Sequence, residues 1–258
     1  MMLILTETSE NIGTITLNQP AKRNALSEPL VEEMLSTLAN FEKKSIRVVV
    51  IRAAPDAKVW SAGLDISELP QGKDPLPYSD PLERLLRSIK RFPGPVIAMV
   101  HGTVWGAATD MVLSCDIAIG DETCSFAITP ANIGSAYNTA GLLTFMRRLR
   151  LNLVKEMFFT ADPIKAEQAA NSGILNHLVP AENLEKFTYE LARQIATKAP
   201  LVVSTVKEQL RILAETHPVP PEVFERIQEL RHKVYESADY QEGIRAFREK
   251  RKPVFTGE

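Results

Sequence analysis

Apolar and polar residues alternate at the start of the chain and then change to helical spacing. Leu3–Thr8 and Ile12–Leu17 alternate, which predicts two strands joined as a hairpin. After Ser27, a residue type common at helix N-caps, apolar residues recur every three or four positions, which predicts a helix. Arg47–Ala53 is a nearly continuous β-branched run and is typical of a strand that is buried on both faces.

The same order of strand, turn and helix recurs further along the chain. The predicted elements are a helix over Asp80–Phe92, a strand over Pro95–His101, a helix over Gly106–Ser114, and short strands over Asp116–Gly120 and Ser125–Ile128. Such a recurrence favours an α/β spiral in which neighbouring strands are parallel.

From Asn138 onward the pattern is almost entirely helical. The predicted helices are Asn152–Thr160, Ile164–Ser172, Glu182–Lys198, Leu201–Thr216 and Glu222–Lys250. The pattern therefore predicts an α/β core to about Gly134 and a helical part after it. No low-complexity linker separates the two parts, so we expect the helices to pack on the core or on a neighbouring subunit.

Composition and charge argue against several functional classes. Apolar residues make up 45% of the 258 residues and the net charge is −2, a balance that does not attract nucleic acid or anionic lipid. Cys115 and Cys124 are the only cysteines, and the four histidines are scattered, so we expect neither a disulfide framework nor a metal site. No export signal is recognisable, and no stretch approaches the roughly twenty apolar residues of a membrane span. We expect a cytoplasmic protein.

Two turns rich in small residues each follow an apolar run. They are Ser61–Leu64 and the longer segment Gly102–Asp110. Small residues leave backbone N–H groups accessible and let a carbonyl oxygen approach closely. We therefore predict that the N–H groups of Leu64 and Ala107 form an oxyanion hole, which stabilises an enolate or a tetrahedral oxyanion. The alternative is that both turns need small residues only for tight packing.

Four side chains near these turns are further candidates. Asp110 lies one helical turn after the second donor and is predicted to face the same cavity, unless it serves only as a cap or a core hydrogen-bond partner. Tyr137 offers a neutral hydroxyl, or is simply a buried packing aromatic. Lys22 and Arg23 form a basic loop that suits a phosphate or adenine contact, or are ordinary solvated residues.

In their order and spacing these motifs resemble the crotonase, or enoyl-CoA hydratase/isomerase, family. The resemblance is carried by Lys22–Leu26, Ser61–Ile66, Gly102–Met111 and the FREKRK segment near the C-terminus. It implies an α/β fold with a crotonase-like ββα-spiral core over residues 1–200. A C-terminal helical trimerisation region over residues 201–258 would follow, with assembly as a homotrimer or a dimer of trimers. It also implies an acyl-CoA thioester as substrate, with its thioester oxygen held by the two predicted amides.

The resemblance assigns roles to further residues. It implies that Tyr137 orients a substrate carboxylate and that Thr129 lies beside the acyl group. The residues implied to contact the substrate or its CoA part are Lys22, Arg23, Ala25, Ala62, Gly63, Leu64, Asp65, Ile66, Ala107, Phe247 and Lys250. It implies no metal ion and no cofactor other than the CoA thioester itself.

This chain departs from the family's hydratases at the acid–base positions. Hydratases of the family carry one glutamate where Asp110 stands and another where Ala131 stands, and Ala131 has no titratable group. The chain resembles more closely the family's decarboxylases, through Thr129–Asn138 and Asp239–Pro253. Decarboxylation of a malonyl-type thioester needs no base, only a held oxyanion and a carboxylate turned out of the thioester plane. We therefore expect decarboxylation of malonyl- or methylmalonyl-CoA, with Asp110 as a further catalytic candidate.

Two other functions stay open at this point. The first is a hydratase or isomerase reaction in which Asp110 alone is the acid–base group. The second is a non-catalytic or RNA-binding member of the family. Binding of RNA would require a basic surface stripe, whereas basic residues outside the C-terminal segment are interleaved with acidic ones.

Overall fold

The computed structural model describes residues 2–69, 76–215 and 220–257, and these residues form ten strands and ten helices. The strands are β1 Ile4–Ser9, β2 Ile12–Leu17, β3 Val48–Ala53, β4 Val59–Ser61, β5 Val96–Val100, β6 Thr103–Trp105, β7 Ile117–Gly120, β8 Ser125–Ala127, β9 Ile164–Lys165 and β10 His177–Leu178. The helices are α1 Glu28–Lys43, α2 Pro81–Arg91, α3 Ala107–Ser114, α4 Thr139–Arg148, α5 Leu151–Thr160, α6 Ala166–Ser172, α7 Ala181–Ala196, α8 Pro200–Ala214, α9 Pro221–Glu236 and α10 Ala238–Arg248. Thr216, the predicted end of one helix, lies outside the described residues.

Six of the strands form the main sheet in the order β1-β2-β3-β5-β7-β10. The predicted hairpin pairs β1 and β2 antiparallel, with Ile4 opposite Leu17, and the other neighbouring strands are parallel. All side chains of β3 and β5 are buried, because α1, α2 and α3 cover one face of the sheet and α7 covers the other. The predicted α/β spiral with parallel pairing is thereby confirmed.

A second, smaller sheet positions the two predicted donor turns. Its strand order is β4-β6-β8-β9, and β4, β6 and β8 are parallel. Residues 62–64 of the first donor turn follow β4 directly, and residues 106–110 of the second follow β6 directly. β4 and β6 are parallel neighbours, with Val59 paired to Thr103. The two turns therefore lie side by side at the carboxyl ends of these strands.

The part of the chain after Asn138 is less uniformly helical than predicted. β9 occupies the start of the predicted helix Ile164–Ser172 and pairs with β8, while β10 pairs with β7. Strands of two residues show no alternation, so the sequence pattern does not reveal them. The single helix predicted over Glu222–Lys250 is two helices, because Ser237 has an extended backbone and its hydroxyl accepts a hydrogen bond from the N–H of Tyr240.

The two last helices, α9 and α10, pack against the first donor turn. Tyr235, Tyr240 and Ile244 are buried in one cluster, and Leu64 packs against this cluster. The hydroxyl of Tyr235 donates a hydrogen bond to the carbonyl oxygen of Ala136 at 2.5 Å. These helices therefore support the candidate site of their own chain.

Helix α8 exposes an apolar surface. None of its residues is buried, and Leu201, Val202 and Leu210 are 81%, 61% and 62% exposed. A groove of about 590 Å³ lies between α8 and the ends of α3 and α4. No helix among the described residues combines the length and the apolar character that crossing a lipid bilayer requires.

Candidate active site

The loop that precedes α1 holds the first donor turn in place. The N–H of Leu26 donates to the carbonyl oxygen of Gly63 at 2.7 Å, and the N–H of Asp65 donates to the carbonyl oxygen of Leu26 at 3.4 Å. Leu64 lies between these two bonds, so its own N–H points to the opposite side. Within the described residues this N–H donates no hydrogen bond, and it is available to a ligand.

Gly63 allows the two donor turns to touch. Its φ is +80°, a conformation that residues with side chains rarely adopt. A Cβ at this position would lie 2.4 Å from the carbonyl oxygen of Trp105 and 3.2 Å from the nitrogen of Ala107. The backbones of the two turns are therefore in direct contact, and the contact requires the absence of a side chain at residue 63.

The second donor, Ala107, is the first residue of α3. The N–H groups of a first helical turn have no acceptor within the helix and carry the positive end of its dipole. The N–H of Ala107 makes no hydrogen bond to any described residue, whereas the N–H of Gly106 donates to Ala127 at 2.7 Å. A Cβ on Gly106 would lie 4.0 Å from Oγ1 of Thr129, so Thr129 lies beside this turn.

Asp110 and Tyr137 meet behind the second donor turn. Asp110 is 2% exposed; its Oδ2 accepts a hydrogen bond from the Tyr137 hydroxyl at 3.3 Å, and its Oδ1 accepts one from Ser114 at 3.5 Å. Burial raises the pKa of Asp110, although the positive charge of Lys90 opposes this shift. Burial and the charge of Asp110 also raise the pKa of Tyr137, so the phenol keeps its proton.

Aromatic contacts and a glycine fix the ring of Tyr137. The ring meets Phe145 and Phe158 edge to face, with centroid distances of 6.0 and 5.0 Å. A Cβ at Gly141 would lie 2.3 Å from Cε1 of Tyr137 and 2.7 Å from Oδ2 of Asp110. The ring of Tyr137 is therefore a packing aromatic, as one of the two interpretations predicted. Its hydroxyl also contacts Asp110, the candidate acid.

A second buried carboxylate, which the sequence analysis missed, comes from α2. Glu83 is 4% exposed; its Oε1 accepts a hydrogen bond from the amide of Asn138, and its Oε2 lies 3.8 Å from the guanidinium of Arg87. Burial raises the pKa of Glu83, and the charge of Asp110 adds to this shift. Glu83, Arg87 and Lys90 have the spacing of one helix face, which was the available signal. A glutamate in a first helical turn is usually solvated, and this hides its role.

Most of the predicted CoA-binding residues lie together beside the first donor turn. Lys22 and Asp65 form an ion pair with an Nζ–Oδ2 distance of 2.9 Å. The hydrogen bond that Lys22 donates to Asp65 raises the pKa of Lys22. The carbonyl oxygen of the exposed Arg23 accepts a hydrogen bond from the N–H of Ala62 at 2.9 Å, and Ala25 is buried in the same loop. The structure thus brings the basic loop and the first donor turn together.

The two predicted C-terminal CoA contacts come from the end of α10. Phe247 is on the last turn of α10 and Lys250 follows it, and both are exposed. The segment after α10 is tied back by Glu242, which accepts hydrogen bonds from Arg251 and from the N–H of Val254 at 3.1 Å. These ties fix where Lys250 lies, but neither Phe247 nor Lys250 belongs to the buried part of the site.

Several known proteins are similar to this chain. The profile of the enoyl-CoA hydratase/isomerase family matches residues 7–258. The chain is 46% identical to methylmalonyl-CoA decarboxylase of Escherichia coli (strain K12), over 97% of this chain and 96% of that protein. It is 34% identical to the human mitochondrial enoyl-CoA hydratase domain-containing protein 3, over 96% of this chain and 82% of that protein.

A solved structure gives the same result. The fold superposes with a TM-score of 0.97 and 45% identity on methylmalonyl-CoA decarboxylase in complex with 2-nitronate-propionyl-CoA. The match covers 99% of this chain and 99% of that chain. A crystal structure of the human enoyl-CoA hydratase domain-containing protein 3 matches with a lower TM-score of 0.76 and 29% identity, over 98% of this chain and 100% of that chain.

Proposed function

The chain belongs to the enoyl-CoA hydratase/isomerase family, and from this premise we propose that it decarboxylates methylmalonyl-CoA or malonyl-CoA to the corresponding acyl-CoA. One observation carries the proposal. The free amides of Leu64 and Ala107 lie in two turns that touch, and the Tyr137 hydroxyl lies behind the second turn. Ala131, at the family's second acid–base position, is exposed and does not titrate. The 46% identity to a methylmalonyl-CoA decarboxylase supports the same reaction.

The two amides hold the thioester oxygen during the reaction. When the substrate carboxylate is perpendicular to the thioester plane, the electrons of its C–C bond pass into the thioester as that bond breaks. Carbon dioxide leaves, the charge collects on the oxygen between Leu64 and Ala107, and a proton from water adds to the α-carbon. Each amide contributes about 3 kcal/mol to transition-state stabilisation. The thioester itself accepts the electrons, so the step needs no cofactor.

Tyr137 holds the substrate carboxylate in its reactive orientation. The hydroxyl group of a phenol has one hydrogen, and in the structure this hydrogen is donated to Oδ2 of Asp110. With substrate bound, a protonated Asp110 donates to the phenol oxygen instead, and the phenol hydrogen goes to the substrate carboxylate. Ile133 and Ala136, which pack beside the site, make its surroundings apolar. Loss of CO2 is favoured there, because a carboxylate that has lost its hydration is less stable than neutral products.

Hydration of an enoyl-CoA is a second candidate reaction. Adding water across a double bond requires an acid and a base. Asp110 and Glu83 are two buried carboxylates, and the charge of Asp110 helps to raise the pKa of Glu83, which favours this candidate more than the sequence alone did.

The test is the product profile of the purified protein with methylmalonyl-CoA, malonyl-CoA and crotonyl-CoA. We expect propionyl-CoA from the first substrate and acetyl-CoA from the second, detected by mass spectrometry. If micromolar protein hydrates crotonyl-CoA and releases no CO2 from either malonyl-type ester, the decarboxylase proposal is wrong and the hydratase proposal replaces it.

We also propose a cytoplasmic location, supported by two free thiols. Cys115 and Cys124 are both free and buried. Burial raises the pKa of Cys115 to about 12, and burial also raises the pKa of Cys124. Thiols that keep their protons are poor nucleophiles, so neither cysteine contributes to the proposed chemistry.

Assembly through α8 forms part of the same proposal. The region over residues 201–258 would then serve oligomerisation, as a homotrimer or a dimer of trimers. Its support is the exposed apolar surface of α8 beside a groove whose walls include Val202, Val206 and Leu210. A contiguous apolar surface of this kind is typical of a subunit interface.

A further inference from the structure

Five polar side chains from α2, α3 and the start of α4 form one connected, largely buried cluster, the chamber, behind the candidate oxyanion hole. They are Glu83 and Lys90 from α2, Asp110 from α3, and Tyr137 and Asn138 from the segment that begins α4. The proposed mechanism uses only Asp110 and Tyr137. The chamber therefore holds a second carboxylate, Glu83, without an assigned role.

Glu83 reaches Tyr137 through the neighbouring residue. Asn138 is the N-cap of α4, and its Oδ1 accepts a hydrogen bond from the N–H of Gly141 at 2.6 Å. Its amide nitrogen then faces the other way and donates to Oε1 of Glu83. Both sides of the Asn138 amide are thus occupied, so this residue is held in a single orientation. Tyr137, which is adjacent to Asn138 in the chain, is positioned by the same contacts.

The charges around the two carboxylates come from three elements. Asp110 is faced by Lys90 from α2, by Ser114 from α3, and by Tyr137 and Thr144 from the α4 segment; Lys90 Nζ also donates to Thr144 Oγ1 at 2.7 Å. Glu83 is faced by Asn138, by the partly exposed Arg87, and by the charges of Lys90 and Asp110. Besides burial, the negative charge of Asp110 raises the pKa of Glu83, because two like charges in a buried site do not both ionise at low cost.

We propose that Glu83 is a positioning residue for the decarboxylation, which holds Tyr137 through Asn138 and, paired with Asp110, keeps one proton in the chamber. The inference rests on the proposed function, because the retained proton is the one that Asp110 donates to the Tyr137 oxygen. Without that proton, the single phenol hydrogen stays with Asp110 and is not available to the substrate carboxylate. Burial raises the pKa of both carboxyls, in agreement with a retained proton.

The substitution Glu83→Gln tests this role, because glutamine still accepts the Asn138 hydrogen bond but carries no charge. We expect the alkaline limb of kcat/KM for methylmalonyl-CoA to move to lower pH by about one unit. Lys90→Gln, which removes the opposite charge and keeps a donor for Thr144, should move the limb in the other direction. A residue with a purely structural role does not produce shifts of opposite sign.

Glu32→Gln is the matched control. Glu32 lies on α1 and forms an exposed ion pair, at 2.9 Å, with Arg84 of α2, the helix that carries Glu83. We expect its pH profile to match that of the unmodified protein. An unchanged alkaline limb in Glu83→Gln, in a protein that does decarboxylate, would overturn the inference and leave the proposed function intact.

A measurement without activity separates the two possible failures. The infrared C=O band of a protonated carboxylic acid, followed from low to high pH, reports the retained proton directly. We expect the band to disappear at lower pH in Glu83→Gln than in the unmodified protein, with Glu32→Gln unchanged. If the band shifts in this way but no malonyl-type ester is decarboxylated, only the proposed function fails. If the band does not shift, Glu83 and Asp110 do not share a proton and the inference fails.

Discussion

The amide hydrogen of Ala107 is half of the proposed oxyanion hole, and a proline can remove it. Proline is tolerated at the first position of a helix, where its missing N–H has no helical partner. We expect Ala107→Pro to lower kcat/KM for methylmalonyl-CoA by about 100- to 1000-fold, because one oxyanion donor is lost. Steady-state kinetics checks this result, and circular dichroism checks that α3 still forms.

Leu151→Pro is the control for that variant. Leu151 is the first residue of α5, is exposed and lies outside the site. We expect this proline to leave kcat/KM within about twofold of the unmodified value, because it removes a helix-start N–H that has no catalytic role. Equal losses in both variants would show that proline at a helix start, rather than the missing donor, lowers the activity.

Asp110 distinguishes the two candidate reactions through one substitution. In Asp110→Asn the amide nitrogen still donates to the Tyr137 oxygen, as the protonated acid does. We expect decarboxylation to persist, with an alkaline limb that is weaker or absent. A hydratase that uses Asp110 as its acid or base would instead lose about 100-fold or more of its activity. The pH dependence of kcat/KM with each substrate measures the difference.

The same variant has an expected signature in stability. Burial raises the pKa of Asp110 in the folded state above its unfolded value of about 3.9. The folded protein therefore binds the proton more tightly, and this contribution is lost as pH rises from about 4 through the folded pKa. We expect Asp110→Asn to gain stability relative to the unmodified protein over that window. A stability difference that does not depend on pH would contradict the raised pKa.

At the level of elements, the two donor turns depend on contact between backbones. The Cβ of Gly63→Ala would lie 2.4 Å from the carbonyl oxygen of Trp105, so one turn must move away from the other. A displacement of about 1 Å at a site of this kind costs about 100-fold in rate. We expect a loss of this size in kcat/KM, measured beside the melting temperature.

Gly173→Ala controls for the backbone strain of that substitution. Gly173 has a φ of +87°, similar to the +80° of Gly63. A Cβ at Gly173 would lie 3.9 Å from the nearest atom, the carbonyl oxygen of Arg148. We expect both variants to lose about 1 to 2 kcal/mol of stability from the left-handed conformation. Only Gly63→Ala should lose activity. Equal activity in the two variants would mean that contact between the turns does not set the donor geometry.

The long elements were predictable from sequence, and the short ones were not. β1 and β2 alternate over six residues each and β3 is a nearly continuous apolar run of the same length, and the structure places all three within one residue of the prediction. β9 and β10 have two residues each and are held in place only by their partners in the sheets. The break at Ser237 was also missed, because a single serine does not interrupt an apolar pattern on both sides.

The candidate site shows the same limit in its side chains. The two donor turns were predicted from their small residues after apolar runs, but β4 and β6, whose pairing brings the turns together, were not predicted as strands. The burial of Glu83 follows from its packing opposite Asn138, which is 55 residues away in the chain. A local pattern contains no information about that partner, and the spacing of Glu83 with Arg87 and Lys90 is equally typical of a solvated helix face.

For the whole molecule, the exposed surface of α8 predicts an assembly that charge would disrupt. The double substitution Val206→Lys and Leu210→Lys places two charges on this surface. We expect the mass in sedimentation velocity to fall from a trimer or larger assembly to that of one chain, 28.7 kDa. Leu5→Lys, which adds one charge to an exposed apolar position on β1, should leave the mass unchanged. An assembly that survives the α8 charges would place the interface elsewhere.

The pairing of β4 with β6 has a consequence for how the protein can diversify. Neighbouring strands of any sheet lie about 4.8 Å apart, so the spacing of the two turns is set by the backbone, and substitutions that leave Gly63 unchanged alter it little. Evolution, or an engineer, can therefore enlarge or reshape the cavity wall around Thr129 and Ile133 to admit new acyl groups. The two proposed hydrogen bonds to the thioester oxygen would keep their geometry through such changes.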